Sequence, residues 1–113
     1  DAERARQLHR AVIRSAGAAG SVRAVTVGLD GLAAVLVQSQ APGQVTVAIH
    51  LLAASAAIRS RAQLAQEPID RANYDGYVAA AQASLAGDAF AVAWAAGEAM
   101  TLEQAVAYAL GAG

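Results

Sequence analysis

The chain has no cysteine and no lysine, and only five of its 113 residues are aromatic. The absence of cysteine excludes disulfides, cysteine-held iron–sulfur clusters and cysteine-based zinc sites. The absence of lysine excludes the phosphate-binding loop G-x-x-x-x-G-K-[ST]. Eight arginines stand against nine acidic residues, for a net charge of −1, so the chain lacks the basic excess on which general nucleic-acid binding depends. We therefore expect no cofactor, no metal ion and no nucleic acid on this chain.

Alanine makes up much of what is present, with 33 residues in a chain that is 57% hydrophobic. It is the strongest helix former and allows helices to pack closely. The length suits a single domain. The most apolar run, residues 45–58, is too short to span a bilayer, and no signal peptide is visible. The composition predicts an all-α cytoplasmic domain without membrane contact.

Apolar residues recur at helical spacing along the chain. The second segment is apolar on more than one side, which is typical of a helix packed on more than one side, and its Gly28 and Gly31 predict close approach by a neighbouring helix. The predicted core face of the first segment consists of Ala5, Leu8, Val12 and Ala16. The predicted helices cover residues 2–16, 22–38, 44–62 and 68–85, with a turn at 40–43 and two shorter helices after Asp88 and Thr101.

The expected helix ends carry capping residues. Ser21 is placed to cap the second helix, and Asp88 to cap the fifth after a glycine that ends the fourth. Thr101 and Gln104 have the spacing of a capping box. Because short turns join long helices, we expect antiparallel hairpins.

Several motifs have a recognisable pattern. They are Leu29-Asp30-Gly31-Leu32, Leu51-Leu52-Ala53-Ala54, Tyr74-Asp75-x-x-Val78, Leu85-Ala86-Gly87-Asp88-Ala89-Phe90 and Met100-Thr101-Leu102-Glu103-Gln104-Ala105. Together they resemble the last helical repeats of large bacterial regulators that combine a signal-transduction ATPase core, tetratricopeptide-like repeats and often a LuxR-type DNA-binding domain. The resemblance covers roughly residues 20–112 and is strongest from residue 74 onward.

This resemblance implies a fold and a role. We expect about six helices, arranged as antiparallel hairpins in a short tetratricopeptide-like solenoid. Residues 1–62 would supply the repeat helices and residues 63–113 a C-terminal cap, all within one domain, 1–113. Since the chain begins at Asp1 without methionine, we expect a fragment of a larger regulator, and the ATPase and DNA-binding functions are not carried over to it.

The candidate catalytic and metal-binding residues are better explained structurally. His9 and His50 lack the H-E-x-x-H spacing of a zinc site and are expected to be hydrogen-bonded interior or edge histidines. Glu67 and Asp70 fit the start of a helix, where acids stabilise the dipole. The aromatic residues at helical spacing are expected to form the core of the cap. They are Tyr74, Tyr77, Phe90 and Trp94.

We therefore expect a non-catalytic protein-interaction or sensor module that binds a partner protein, an effector or the regulator's own ATPase through its helical surface. The candidate partner surface consists of Arg6, Arg10, Arg14, Arg23 and Asp30, although the arginines also fit a solvated helix face. One alternative is a small helical ligand-binding bundle or enzyme with a pocket near His50 and the aromatic residues. Another is a structural dimerisation domain. Because a cut solenoid exposes an apolar face, we expect a homodimer.

Overall fold

The computed structural model describes residues 1–39, 41–85 and 87–111, which form six α-helices and, within those ranges, no strand. The prediction of an all-α fold with about six helices is confirmed. The helices are α1 (Ala2–Ala19), α2 (Val22–Ser39), α3 (Pro42–Ala62), α4 (Pro68–Ser84), α5 (Asp88–Glu98) and α6 (Leu102–Gly111).

Side-chain caps begin several helices as the sequence indicates. The Asp1 carboxylate accepts a hydrogen bond of 2.8 Å from the Arg4 N–H at the start of α1, and Ser21 Oγ accepts one of 3.3 Å from the Ala24 N–H in α2. Before α6, the Thr101 N–H donates to Gln104 Oε1 and the Gln104 N–H donates to Thr101 Oγ1, at 2.9 and 3.1 Å. This reciprocal pair is the predicted capping box.

The glycines near helix ends account for two differences from the predicted bounds. α1 continues through Gly17 to Ala19, because Gly20, with φ 72°, takes the left-handed conformation that ends the helix. Gly87, with φ 73°, is the N-cap of α5, so the prediction that Asp88 caps this helix was wrong and Asp88 is its first residue. Both positions favour glycine because other residues are strained at positive φ.

The connection between α2 and α3 is shorter than predicted. α3 begins at Pro42, with the proline at the start of the helix, rather than at residue 44. Gln40, which was placed in the turn, lies outside the described residues. Ser55 Oγ donates to the Thr26 carbonyl, and these two residues lie equally far from the connection, as an antiparallel hairpin requires.

The six helices close into a compact body around α3. This helix contacts α2, α4, α5 and α6, and α6 returns to pack on α1 and α2. The radius of gyration is 12.6 Å, close to the ~13 Å expected for a compact domain of this length. In an open solenoid each repeat meets only its neighbours, whereas here the first and last helices are in contact.

The glycines of α2 determine how α1 docks. A Cβ on Gly28 would lie 2.7 Å from Ile13 Cγ1, and one on Gly31 would overlap the His9 ring. Ile13 is therefore fully buried, while Leu8 and Val12 are 61% and 46% exposed. The prediction that Leu8 and Val12 face the core was wrong, because the glycine surface of α2 accepts the neighbouring face of α1.

α2 is long and apolar enough to cross a membrane by length and composition alone, and 44% of its residues are buried within the bundle. A core helix of a soluble protein passes the same test. Val25, Leu29, Leu32 and Leu36 are buried, which is compatible with a soluble protein.

Candidate functional site

A buried polar cluster lies where α2, α3 and α4 meet. We call Asp30, Ser55, Arg59 and Tyr74 the Arg59 network. Arg59 Nη1 donates to Asp30 Oδ2 at 2.8 Å and to Ser55 Oγ at 2.5 Å. The side chains of Arg59 and Asp30 are only 10% and 13% exposed. The network is thus a nearly buried ion pair in an otherwise apolar interior.

The helical spacing on α3 positions the members of the network. Ser55 and Arg59 are four residues apart and lie on one face of the helix. Tyr74 approaches from α4 and donates from its hydroxyl to the Leu52 carbonyl at 2.7 Å. The Arg59 guanidinium carbon lies 4.7 Å from the centroid of the Tyr74 ring, within the range of a cation–π interaction. One arginine therefore connects three helices.

Burial controls the electrostatics of the network. Desolvation raises the pKa of the Asp30 carboxyl above its ordinary 3.8, and the opposing attraction of Arg59 reduces but does not cancel this rise. Burial also raises the pKa of the Tyr74 phenol, and the charge of Asp30 adds to the effect. Asp30 Oδ1 is sealed from solvent and has no hydrogen-bond partner among the described residues. An unpaired buried oxygen favours the protonated carboxyl.

The loop between α3 and α4 borders the network. Gln63 ends α3 in the left-handed conformation, with φ 56°, and the Leu64 N–H donates back to the Arg59 carbonyl at 2.9 Å. Two clefts adjoin here, both lined by Arg59, Tyr74 and the loop residues Leu64, Ala65 and Gln66. This shared border makes the network the meeting point of two cavities.

The two clefts differ in charge. The first has a volume of about 190 Å³, and its lining includes Asp30, Glu67 and Asp70 together with Arg23. The second, of about 370 Å³, is lined by Arg59 and Arg71 and, among the described residues, by no acid. Asp70 lies in the first turn of α4, as expected of a residue that stabilises the helix dipole.

The predicted partner-surface residues are divided between two places. Arg23 and Asp30 both line the first cleft, whereas none of the three α1 arginines of the predicted surface is among its described lining residues. Arg6 Nη1 instead donates to Gln44 Oε1 of α3 at 3.5 Å and lies 3.4 Å from Glu3. Arg10 is half-buried and Arg14 is exposed.

No known protein family, curated protein or solved structure matches this chain. The assignment of a function therefore depends on the geometry of the chain itself.

His50 lies on the other side of α3. Its Nδ1 is hydrogen-bonded to the Tyr108 hydroxyl at 2.6 Å, and burial lowers the pKa of the imidazole below 6.5, which favours the neutral ring. The prediction of a hydrogen-bonded histidine at this position is confirmed. No group of three or more metal-binding side chains occurs in the described part of the chain.

The aromatic residues that were predicted to form the core of the cap do not gather around His50. Phe90 and Trp94 stack on each other, with ring centroids 5.7 Å apart, while Tyr74 belongs to the Arg59 network. The open apolar groove beside His50 is lined by Val92, Ala93 and other small residues of α5, with none of these three rings among its described lining residues. The described side chains therefore form no pocket that combines His50 with these aromatic residues.

The sequence reasoning missed Arg59 as a site residue and placed Asp30 on an outer surface. A signal was nevertheless present. Asp30 and Arg59 are charges on two long helices that were predicted to pair as a hairpin. Opposite charges on the facing sides of a hairpin predict a buried ion pair, since an isolated buried charge is costly.

Proposed function

We propose that the chain is a non-catalytic protein-interaction and sensor module that assembles through the exposed apolar ridge of α1, and that it acts in the cytoplasm as part of a bacterial regulator. The observation that carries the proposal is the outward position of Leu8 and Val12. These two side chains lie one helical turn apart and form a continuous aliphatic strip.

The ridge is a consequence of the fold rather than of chance exposure. Ile13 and His9 occupy the space above the glycines of α2, and this docking turns Leu8 and Val12 toward solvent. Val27 of α2 is also exposed, at 63%. Adjacent exposed aliphatic side chains on a small domain mark interaction surfaces more often than isolated ones do.

The partner that we propose for the ridge is a second copy of the chain. A two-fold axis through α1 would pair Leu8 of one copy with Val12 of the other, since an isologous interface brings the same patch of both subunits together. The neighbouring side chain of Ala11 is small and also exposed, which permits close approach of two helices.

The role in a regulator is supported by the resemblance of residues 74–110 to the C-terminal repeats of LuxR-type and related ATPase regulators. In such proteins the helical arm transmits binding events and performs no chemistry of its own. A longer reading frame with a P-loop ATPase upstream of Asp1 would agree with this assignment, and a complete short reading frame would contradict it.

Sedimentation velocity over a range of concentrations tests the assembly. We expect the wild-type chain to self-associate and the Leu8→Ser/Val12→Ser variant to remain monomeric, because the variant loses the exposed apolar ridge. Val92→Ser is the control, since Val92 is an exposed aliphatic residue (70%) on a different helix, α5. Its self-association should equal that of the wild type. A wild-type chain that stays monomeric at the highest concentration would refute the assembly.

A further inference from the structure

We propose that the second cleft, beside Arg59 and Arg71, binds a small organic carboxylate. This inference rests on the proposed sensor function only in treating the bound carboxylate as an effector. Binding itself is a property of the cleft and can be measured whether or not the chain self-associates.

Arg59 is the anchor of this site. The residue is 9% exposed, and both of its hydrogen bonds to side chains use Nη1. Nε and Nη2 donate to no side chain within the described part of the chain. The Nε–Nη2 edge of a guanidinium is a planar pair of donors that matches the two oxygens of a carboxylate. In the proposed site this edge receives the carboxylate, because Nη1 is already held by Asp30 and Ser55.

Arg71 supplies a second positive charge on the α4 side of the same cleft. Its guanidinium is paired with Asp75 at 3.2 Å, but both side chains are more than 60% exposed. Such an exposed surface pair is weak, so Arg71 can turn toward an incoming anion. The three acids near the network, Asp30, Glu67 and Asp70, line the first cleft instead.

The remaining walls indicate the kind of anion. Ser60 and Gln66 contribute polar groups, while Leu64 and the Tyr74 ring contribute apolar surface. The volume of about 370 Å³ falls at the lower end of the ~300–1,000 Å³ typical of small-molecule sites. A bare inorganic anion would leave the apolar walls uncovered. A carboxylate with an apolar body would place its charge on the arginines and its body against Leu64 and Tyr74.

Titration of the full chain with benzoate, followed by amide NMR shifts, tests the site. We expect saturable shifts concentrated in residues 59–71. Arg71→Gln should weaken binding by about tenfold or more, because it removes a charge-assisted hydrogen bond to the carboxylate. Arg14→Gln, which removes an exposed arginine of α1 that is not among the described lining residues of the cleft, should have no effect. Asp75→Asn should tighten binding up to about threefold, because it removes the competitor for Arg71.

Neutral and inorganic probes define the ligand class. Benzamide has the shape of benzoate without its charge and should not bind, and phosphate should bind more weakly than benzoate. Absence of saturable shifts, equal binding of benzamide or phosphate, or unchanged binding in Arg71→Gln would each overturn the proposal. The Leu8→Ser/Val12→Ser variant should bind benzoate as the wild type does, which separates a failure of this site from a failure of the proposed assembly.

Discussion

On one face of α3, Ser55 and Arg59 meet α2 and α4 through an ion pair and hydrogen bonds. On the opposite face, His50 and Ala53 meet α5 through close packing against Gly97, where a Cβ would overlap the His50 carbonyl and lie 2.8 Å from Ala53 Cβ. The contact with α2 and α4 depends on oriented hydrogen bonds between charged and polar side chains. The contact with α5 depends on the absence of a side chain at Gly97.

This difference is reflected in the cavities on the two sides of α3. Small residues let α5 approach the α3 backbone, and the open groove on that side is lined mainly by apolar side chains. The Arg59 side chain, by contrast, reaches between helices and lines both of the clefts on the other side. A sensor site is expected on the polar face, because specific recognition requires oriented hydrogen-bonding groups.

The largest effect should come from Arg59→Ala. Removal of one partner of a buried ion pair leaves an uncompensated charge on Asp30 and typically costs about 3–5 kcal/mol. Urea unfolding followed by helical circular dichroism measures the loss. In the double variant Asp30→Leu/Arg59→Met the total loss should be smaller than the sum of the single losses, since no unpaired charge remains. Additive losses would show that the two side chains do not depend on each other.

The sequence predicted local features better than it predicted the polar cluster around Arg59. The capping box at Thr101 and the glycine approach on α2 could be predicted because each depends on local spacing. The orientation of α1 could not, because the exposure of Leu8 and Val12 is set by glycines on another helix. Arg59 was missed for a similar reason: the burial of its charge depends on where Asp30 and Tyr74 lie in three dimensions.

A smaller effect is expected on the packed face. Gly97→Ala should destabilise the fold by about 1–3 kcal/mol, the usual cost of overpacking, because the new methyl group meets the backbone of α3, which cannot turn away. Gly76→Ala is the matched control, since Gly76 is also helical but a Cβ there meets nothing within 4 Å. That variant should be stabilised by about 0.5–1 kcal/mol through helix propensity alone. Equal stabilities of the two variants in urea would mean that α5 does not pack on α3 at Gly97.

The smallest effect is a dependence of stability on pH that has opposite signs on the two faces. Burial lowers the folded pKa of His50 below 6.5, so its stabilising contribution is complete above pH 6.5 and is lost as the pH falls through the folded pKa. Burial raises the folded pKa of Asp30 above 3.8, so the folded state takes up this proton first and gains stability as the pH falls toward 3.8.

Unfolding free energies measured between about pH 7 and pH 4 identify the contribution of His50, because a variant without the imidazole should lose the pH dependence that His50 causes. His50→Asn should abolish the decline below pH 6.5, since asparagine carries no group that titrates in this range. His9→Asn serves as the comparison histidine and should keep that decline. If His50→Asn leaves the pH profile of stability unchanged, the titration of His50 does not affect stability. The two faces of α3 then differ only in that one is held by an ion pair and the other by close packing.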